Sequence, residues 1–198
     1  VVGGGPSGLA SACKLKQLNP ELSVCLLEKG SEIGSHILSG AVFEPEALFD
    51  LFPEDAKDCP TLKTKVAKDE LFWLTGENKS IKVPSWLMPK SLHNKGNYII
   101  SLGELCQWIS EKAMELGVDI FPGFPAQSYI KDESGRVIGI STGDMGIDKE
   151  GNQKGTYTPG MDILAKQTIF AEGARGHLGK QLIKEFNLDE GKTPQHFA

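Results

Sequence analysis

The chain opens with residues 1–10, VVGGGPSGLA, and the reading of this stretch decides the fold. Val1 and Val2 are β-formers that lead into glycines at positions 3, 5 and 8, the G-x-G-x-x-G spacing of a strand turning directly into a helix. Gly3 permits the tight turn, Gly5 leaves room for a pyrophosphate, and Gly8 removes a side chain where helix and strand touch; Ala12 keeps the same contact close. Pro6 stands in the first helical turn, where its missing N–H costs nothing, and Ser7 follows it. The helix is predicted over Pro6–Leu18, its free N–H groups and partial positive charge facing an anion. After the connection NPEL, a second strand is predicted over Ser23–Glu28, which places Glu28 about 20 residues beyond Gly8. A carboxylate at that strand end accepts the hydroxyl pair of a ribose and disfavours a 2′-phosphate. Gly3, Gly5, Pro6, Ser7, Gly8, Glu28 and Lys29 are therefore the candidate residues of a dinucleotide site.

A strand needs about five residues to pair well in a sheet, and only two precede Gly3. The chain is accordingly expected to be a fragment of a larger protein, truncated at both ends, since it also runs out in the polar DEGKTPQHFA.

Composition narrows the class. At 198 residues, 39% hydrophobic and 24% charged, the chain is a globular protein with enough length for a sizeable core. A net charge of −5, without a basic stripe, argues against a general nucleic-acid binder. No apolar run approaches the roughly 18 residues of a membrane-spanning helix. Cys13, Cys25, Cys59 and Cys106 are scattered without metal-ligand spacing, so they are read as reduced thiols and not as ligands.

Further along, Gly30–Val42 (GSEIGSHILSGAV) is rich in Gly and Ser around His36 and reads as a functional loop, followed by a short helix over Glu44–Phe52. Asp69–Pro84 reads as two strands joined by a Gly-Glu-Asn-Lys turn, and a Pro-punctuated loop then exposes Trp86, Leu87 and Met88 between Lys82 and Lys90. Ser101 and Glu104 form a capping box for a helix whose face carries Leu105, Trp108, Ile109, Ala113 and Leu116, and Gly117 ends it. VDIF returns as a strand, AQSYIKD and RVIGIST form a hairpin, and Asp144–Gly160 is expected to be a polar surface excursion. ILAKQTIFAEGARGHLGKQLIKEF closes as strand, glycine turn and helix.

This order bears on the cofactor. A simple NAD domain alternates strands and helices, whereas here a small-residue loop, extra strands and a hairpin intervene before a final strand-Gly-helix. The expected fold class is α/β, an FAD/NAD(P)-binding Rossmann-like (glutathione-reductase-like) fold with inserted β-strands; the family resemblance given below implies that these belong to a partial substrate or quinone domain. Residues 1–66 are read as the FAD-binding β-α-β and flavin loop, 67–100 as an inserted β segment, which the same resemblance implies faces quinone or membrane, and 101–198 as the FAD-binding continuation with the second flavin segment. Ala126, at the hairpin's start, and Gly173 and Gly176 join the candidate FAD residues.

Several stretches together resemble the electron transfer flavoprotein-ubiquinone oxidoreductases: GGGPSGLASACKLKQLNP, EKGSEIGSHILSGAVFEP, NKGNYIISLGELCQW and TIFAEGARGHLGKQLIKEFNL. The resemblance implies a peripheral membrane flavoenzyme, of the bacterial cytoplasmic membrane or the mitochondrial inner membrane. It would use FAD and a [4Fe-4S] cluster ligated outside these residues, and its partners would be electron transfer flavoprotein, ubiquinone and a membrane surface. It implies that Gly3, Gly5, Gly8 and Glu28 carry the ADP part of FAD, and that Gly34, His36, Ser39 and Gly40 lie beside the isoalloxazine. Gly173 and Gly176 would close the flavin site, and Trp86, Leu87 and Met88 would meet the membrane. No residue is assigned a catalytic proton transfer. Relatives in the wider flavoprotein group often carry an Arg before the helix that Ser101 opens, where this chain has none. Two other readings remain: a geranylgeranyl-reductase-like or monooxygenase-like flavoprotein using NAD(P)H, and a non-catalytic FAD-binding module.

Overall fold

The computed structural model describes residues 1–38, 40–148 and 150–192. Its elements run α1 (Pro6–Leu18), β1 (Cys25–Glu28), β2 (Ala41–Phe43), α2 (Glu46–Leu51), β3 (Thr64–Lys65), β4 (Leu71–Gly76), β5 (Lys79–Val83) and β6 (Tyr98–Ile100). They continue with α3 (Leu102–Glu115), β7 (Asp119–Pro122), β8 (Ala126–Lys131), β9 (Val137–Thr142), β10 (Met145–Ile147), β11 (Gln153–Thr158), β12 (Asp162–Leu164) and α4 (His177–Glu185). Two compact units result: Val1–His36 with the chain from Ile109 onward, and Ile37–Trp108.

In the first unit β1 pairs in parallel with β7, from Cys25 opposite Asp119 to Glu28 opposite Pro122. On its other side, Leu27 bridges Val2, and Val2 bridges Phe170, both in parallel. Parallel neighbours need a covered crossover, and α1 supplies it by burying Leu9, Ala12 and Cys13. Lys16, at the end of α1, is buried because its ammonium donates to the carbonyls of Pro20 (2.5 Å) and Leu22 (3.0 Å), closing the turn into β1. The core gathers Val2, Leu27, Ala126, Ile140 and Leu178, so strand, hairpin and closing helix share one apolar cluster. The hairpin β8–β9 forms as the sequence predicts; its tip is held by the Asp132 carboxylate, which accepts the N–H groups of Ser134 and Arg136 (both 3.0 Å). At the start of α3, which lies in the second unit, Ser101 Oγ accepts the Glu104 N–H at 3.4 Å, one arm of the expected capping box. Gly117, at φ +85°, ends that helix in the left-handed region.

Within Asp144–Gly160, expected as a polar surface excursion, β10 and β11 pair antiparallel, and β11 is mostly exposed. One expectation in this unit is corrected. The segment beginning ILAKQTIF is not one strand: β12 pairs antiparallel with β9, and only after Lys166 does the chain reach Phe170 beside Val2.

In the second unit β2 and β3 flank β6, all antiparallel, and β4 and β5 form the expected hairpin with an irregularity between Leu74 and Gly76. Phe52 and Trp108 meet edge to face, centroids 5.4 Å apart. The short helix begins at Glu46 and not at Glu44, with Pro45 as its N-cap; a residue preceding proline is steered away from the helical region, so Glu44 stays outside. The loop after β5 contains 3₁₀ turns at Ser85–Leu87 and Lys90–Leu92. Trp86 (81% exposed) and Leu87 are exposed as expected, but Met88 is 8% exposed and belongs to the interior. Met88 follows the turn in extended backbone, which takes its side chain off the face that Trp86 and Leu87 occupy.

Candidate functional site

The glycine turn acquires its shape from steric demands that only glycine meets. At Gly3 the backbone sits at φ +108°, and a Cβ there would lie 2.5 Å from the Ala171 carbonyl oxygen. At Gly8 a Cβ would lie 2.0 Å from the carbonyl oxygen of Gly3. These two positions let α1, the entering strand and the segment at Ala171 come together. Gly5 is different: nothing lies within 4 Å of its absent Cβ, so the space above the start of α1 is open. Gly5 is also the N-cap of α1, and no side chain caps that helix start. A 13-residue helix whose first N–H groups lack a side-chain partner and face open space is a cradle for an anion such as a pyrophosphate. Pro6 and Ser7 are exposed on the first turn beside it.

Glu28 stands at the end of β1, as expected, and its oxygens are engaged: one accepts Gly4 N–H and the other Gly30 N–H, each at 2.7 Å. Two accepted bonds leave an ionised carboxylate further lone pairs for a ribose hydroxyl pair. Glu28 thus fastens the glycine turn to the strand end. Sequence spacing passes over its partners. Both glycines are closely packed: a Cβ at Gly4 would lie 2.5 Å from Ile33 Cδ1, and one at Gly30 would lie 2.8 Å from Ser35 Oγ, so a side chain there would displace those side chains; the only signal was an extra glycine within the GGG run and another two residues after Glu28.

The second strand-Gly-helix lies next to the first because Ala171 N–H donates to Val2 O at 2.8 Å. Gly173 adopts φ +77° with open space around its absent Cβ. Gly176 has another reason to be glycine: a Cβ there would lie 2.4 Å from Glu172 Cβ. Glu172 was not singled out from sequence. Its mostly buried carboxylate accepts Gly179 N–H at 2.8 Å and Leu178 N–H at 3.4 Å, closing the N-terminus of α4. His177 adds to this closure, with Nδ1 3.4 Å from Glu172 Oε1 and Nε2 3.1 Å from Gln127 O. Of the two helix starts, α1 is open to an anion and α4 is satisfied by the chain itself.

The remaining candidates are dispersed. Lys29 and His36 are exposed, and Gly34 adopts φ +84° in the loop after β1. Ala126 is buried in the core cluster at the start of β8, so only its backbone is available to a ligand. Gly40, also at φ +84°, belongs to the second unit, and Ser39 lies outside the described residues. The cysteines are free thiols; burial pushes Cys13 up to about 11, so it is inert at neutral pH. Among the described residues no group of three His, Cys, Asp or Glu side chains could hold a metal ion.

Residues 1–54 match a family model described as an NAD(P)-binding Rossmann-like domain. Over its full length the chain is 55% identical to the electron transfer flavoprotein-ubiquinone oxidoreductase of Pseudomonas aeruginosa, covering 37% of that protein. It is 47% identical to the mitochondrial electron transfer flavoprotein-ubiquinone oxidoreductase of Dictyostelium discoideum, covering 33% of it. The chain thus spans about a third of the length of these relatives. Among solved structures, a geranylgeranyl bacteriochlorophyll reductase-like protein from Thermoplasma acidophilum superposes with a TM-score of 0.61 at 22% identity, over 90% of this chain and 40% of that one, a likeness of fold.

Proposed function

The chain belongs by sequence to the electron transfer flavoprotein-ubiquinone oxidoreductase family, and from that premise we propose that it is the FAD-binding part of an enzyme passing electrons from reduced electron transfer flavoprotein to ubiquinone. The observation that carries the reading is identity along the whole chain combined with an open, uncapped start of α1. FAD, when bound, supplies the redox chemistry, accepting and releasing electrons singly or in pairs. The chain's own residues bind and orient. The first N–H groups of α1 and the space over Gly5 receive the pyrophosphate, and Glu28 accepts the ribose hydroxyls while holding Gly4 and Gly30 in place. Gly173 leaves backbone room at the second segment, and Gly34, His36, Ser39 and Gly40 are assigned to the flavin end. None of these residues carries a covalent or proton-transfer step. A [4Fe-4S] cluster is assigned to the whole protein, ligated outside this chain.

The membrane side of this reading rests on the second unit. Among the described residues no helix is long and apolar enough to cross a membrane, while Trp73, Leu74 and Ile81 of the β4–β5 hairpin are exposed together with Trp86 and Leu87. Aromatic and aliphatic side chains beside lysines suit the interface of a bilayer. We therefore assign peripheral membrane association, bacterial or mitochondrial, to the exposed apolar residues of this unit.

The test is the visible spectrum of the whole protein mixed with reduced electron transfer flavoprotein and a soluble quinone analogue. Flavin absorbance with partner-dependent quinone reduction, and no bleaching by NAD(P)H, is expected. Bleaching by NAD(P)H without response to the partner would overturn it in favour of a reductase or monooxygenase.

A further inference from the structure

The two glycines that donate to Glu28 are packed in the same way. A Cβ added at Gly4 would meet Ile33 Cδ1 at 2.5 Å and Glu28 Oε2 at 3.1 Å, and one added at Gly30 would meet Ser35 Oγ at 2.8 Å and Glu28 Oε1 at 3.1 Å. At each donor the place of the missing side chain is therefore filled jointly, by the carboxylate oxygen that accepts its N–H and by a side chain from the loop after β1. All of these residues belong to the first unit.

That loop is folded back on itself. Ser35 directs both its N–H (3.4 Å) and its hydroxyl (2.9 Å) to Glu32 O, which closes a turn around Ile33 and Gly34. Gly30 O accepts Gly123 N–H at 2.7 Å, and Glu28 O accepts Phe124 N–H at 3.0 Å, so the base of the loop is fastened to the segment after β7. Ser31, Glu32 and Ser35 are exposed, whereas Ile33 is 7% exposed. An isoleucine buried in an otherwise polar loop marks what the loop is folded onto, and here its terminal methyl lies on Gly4.

This packing bears on the carboxylate. Each Glu28 oxygen uses one lone pair on a glycine N–H and keeps another for a ribose hydroxyl. The direction of the free lone pairs is fixed only while Gly4 stays in place, and Gly4 has no side chain of its own to hold it. Ile33 supplies the missing contact, and an apolar cover also keeps water from competing for the Gly4 N–H. From this juxtaposition we propose that Ile33 is a positioning residue: its terminal methyl holds Gly4 against Glu28 and so aims the carboxylate at the hydroxyl pair of the adenosine ribose. The inference rests on the FAD reading above and deepens it, because it gives a residue without polar atoms a role in recognising one part of the cofactor.

The experiment uses the whole protein freed of flavin and reads the dissociation constants of FAD, of ADP and of 2′,3′-dideoxy-ADP, which keeps adenine and pyrophosphate but lacks both ribose hydroxyls. Ile33→Ala is expected to weaken FAD and ADP roughly tenfold, the lower end for a hydrogen bond to a charged group. The dideoxy analogue is expected to stay within about twofold of its affinity for the unmodified protein. Ile33→Leu, which keeps a δ-methyl, is expected to recover most of the loss, and Ile33→Ala is expected to add no further loss of ADP affinity to Glu28→Gln. Should Ile33→Ala fail to fold, as read by far-UV circular dichroism, Ile33→Val removes the δ-methyl alone and carries the same comparison with an effect of roughly threefold. Equal losses for ADP and its dideoxy analogue, additive losses in the double variant, or an unchanged ADP affinity overturn the positioning role and leave the FAD reading in place. An unmodified apoprotein that binds neither FAD nor ADP overturns both together.

Discussion

Gly5 and Gly8 belong to one motif yet serve unlike purposes, and substitution separates them. At Gly8 an added methyl has nowhere to go except into the Gly3 carbonyl, so Gly8→Ala is expected to cost about 1–3 kcal/mol as an overpacked position, read as a lower denaturation midpoint with flavin lost alongside. At Gly5 the methyl meets open space. Gly5→Ala is expected to cost no more than about 1 kcal/mol as a change of N-cap, while flavin affinity falls roughly tenfold or more, equivalent to about 1.4 kcal/mol. An unchanged flavin affinity in Gly5→Ala would show that the open space over α1 is not the ligand's. Glu172 offers a third residue-scale test. Its carboxylate does for α4 what a bound anion does for an open helix start, so Glu172→Ala is expected to destabilise by roughly 1 kcal/mol, as loss of a cap does. Glu172→Gln, which keeps an acceptor oxygen, should recover part of that in a urea titration.

At the scale of elements, the β4–β5 hairpin is held partly by charge. The neighbouring lysines Lys68 and Lys82 hydrogen-bond Glu70 and hold its carboxyl down to about 2. Its folded pKa lies below its unfolded value, so its contribution to the hairpin is fully present above about pH 4.5 and is lost as pH falls through about 2. Because all three groups are exposed, salt should erode the contribution as well. A carbon-detected NMR titration of the Glu70 carboxyl checks this: a midpoint near the ordinary carboxylate value would show that the two ion pairs do not persist in solution. The same hairpin shows what strand-forming residues reveal and what they conceal. The aromatic and aliphatic residues of β4, and the turn residues after it, identify the hairpin. A continuous apolar run suggests a strand covered on both faces, yet Phe72, Trp73 and Leu74 are all exposed; burial depends on whether something covers the strand, and that is not written in its own residues.

For the whole molecule, FAD should behave as a folding ligand. A group that spans the turn at Gly3–Gly8 and the segment at Gly173 binds only when Val2 has brought Leu27 and Phe170 together, so the native state alone has the site. Saturating the apoprotein with FAD at about 100 times its Kd is expected to stabilise the fold by about 2.7 kcal/mol, measured as a concentration-dependent rise in melting temperature; a melting temperature indifferent to FAD would mean that the two segments do not share the ligand. The sequence by itself determined the glycine turn, α1, the strand ending at Glu28, both long hairpins and the family resemblance, because each rests on local chemistry: glycine's access to tight turns, helix periodicity, turn residues and short motifs. Only the tertiary structure decided that ILAKQTIF divides between β9 and Val2, that Met88 turns inward where Trp86 does not, that Glu28 secures two glycines passed over by spacing, and that Glu172 closes α4 while α1 stays open. These are outcomes of close approach between residues distant in the chain, and the volumes and hydrogen-bond partners that settle them exist only after the chain has folded.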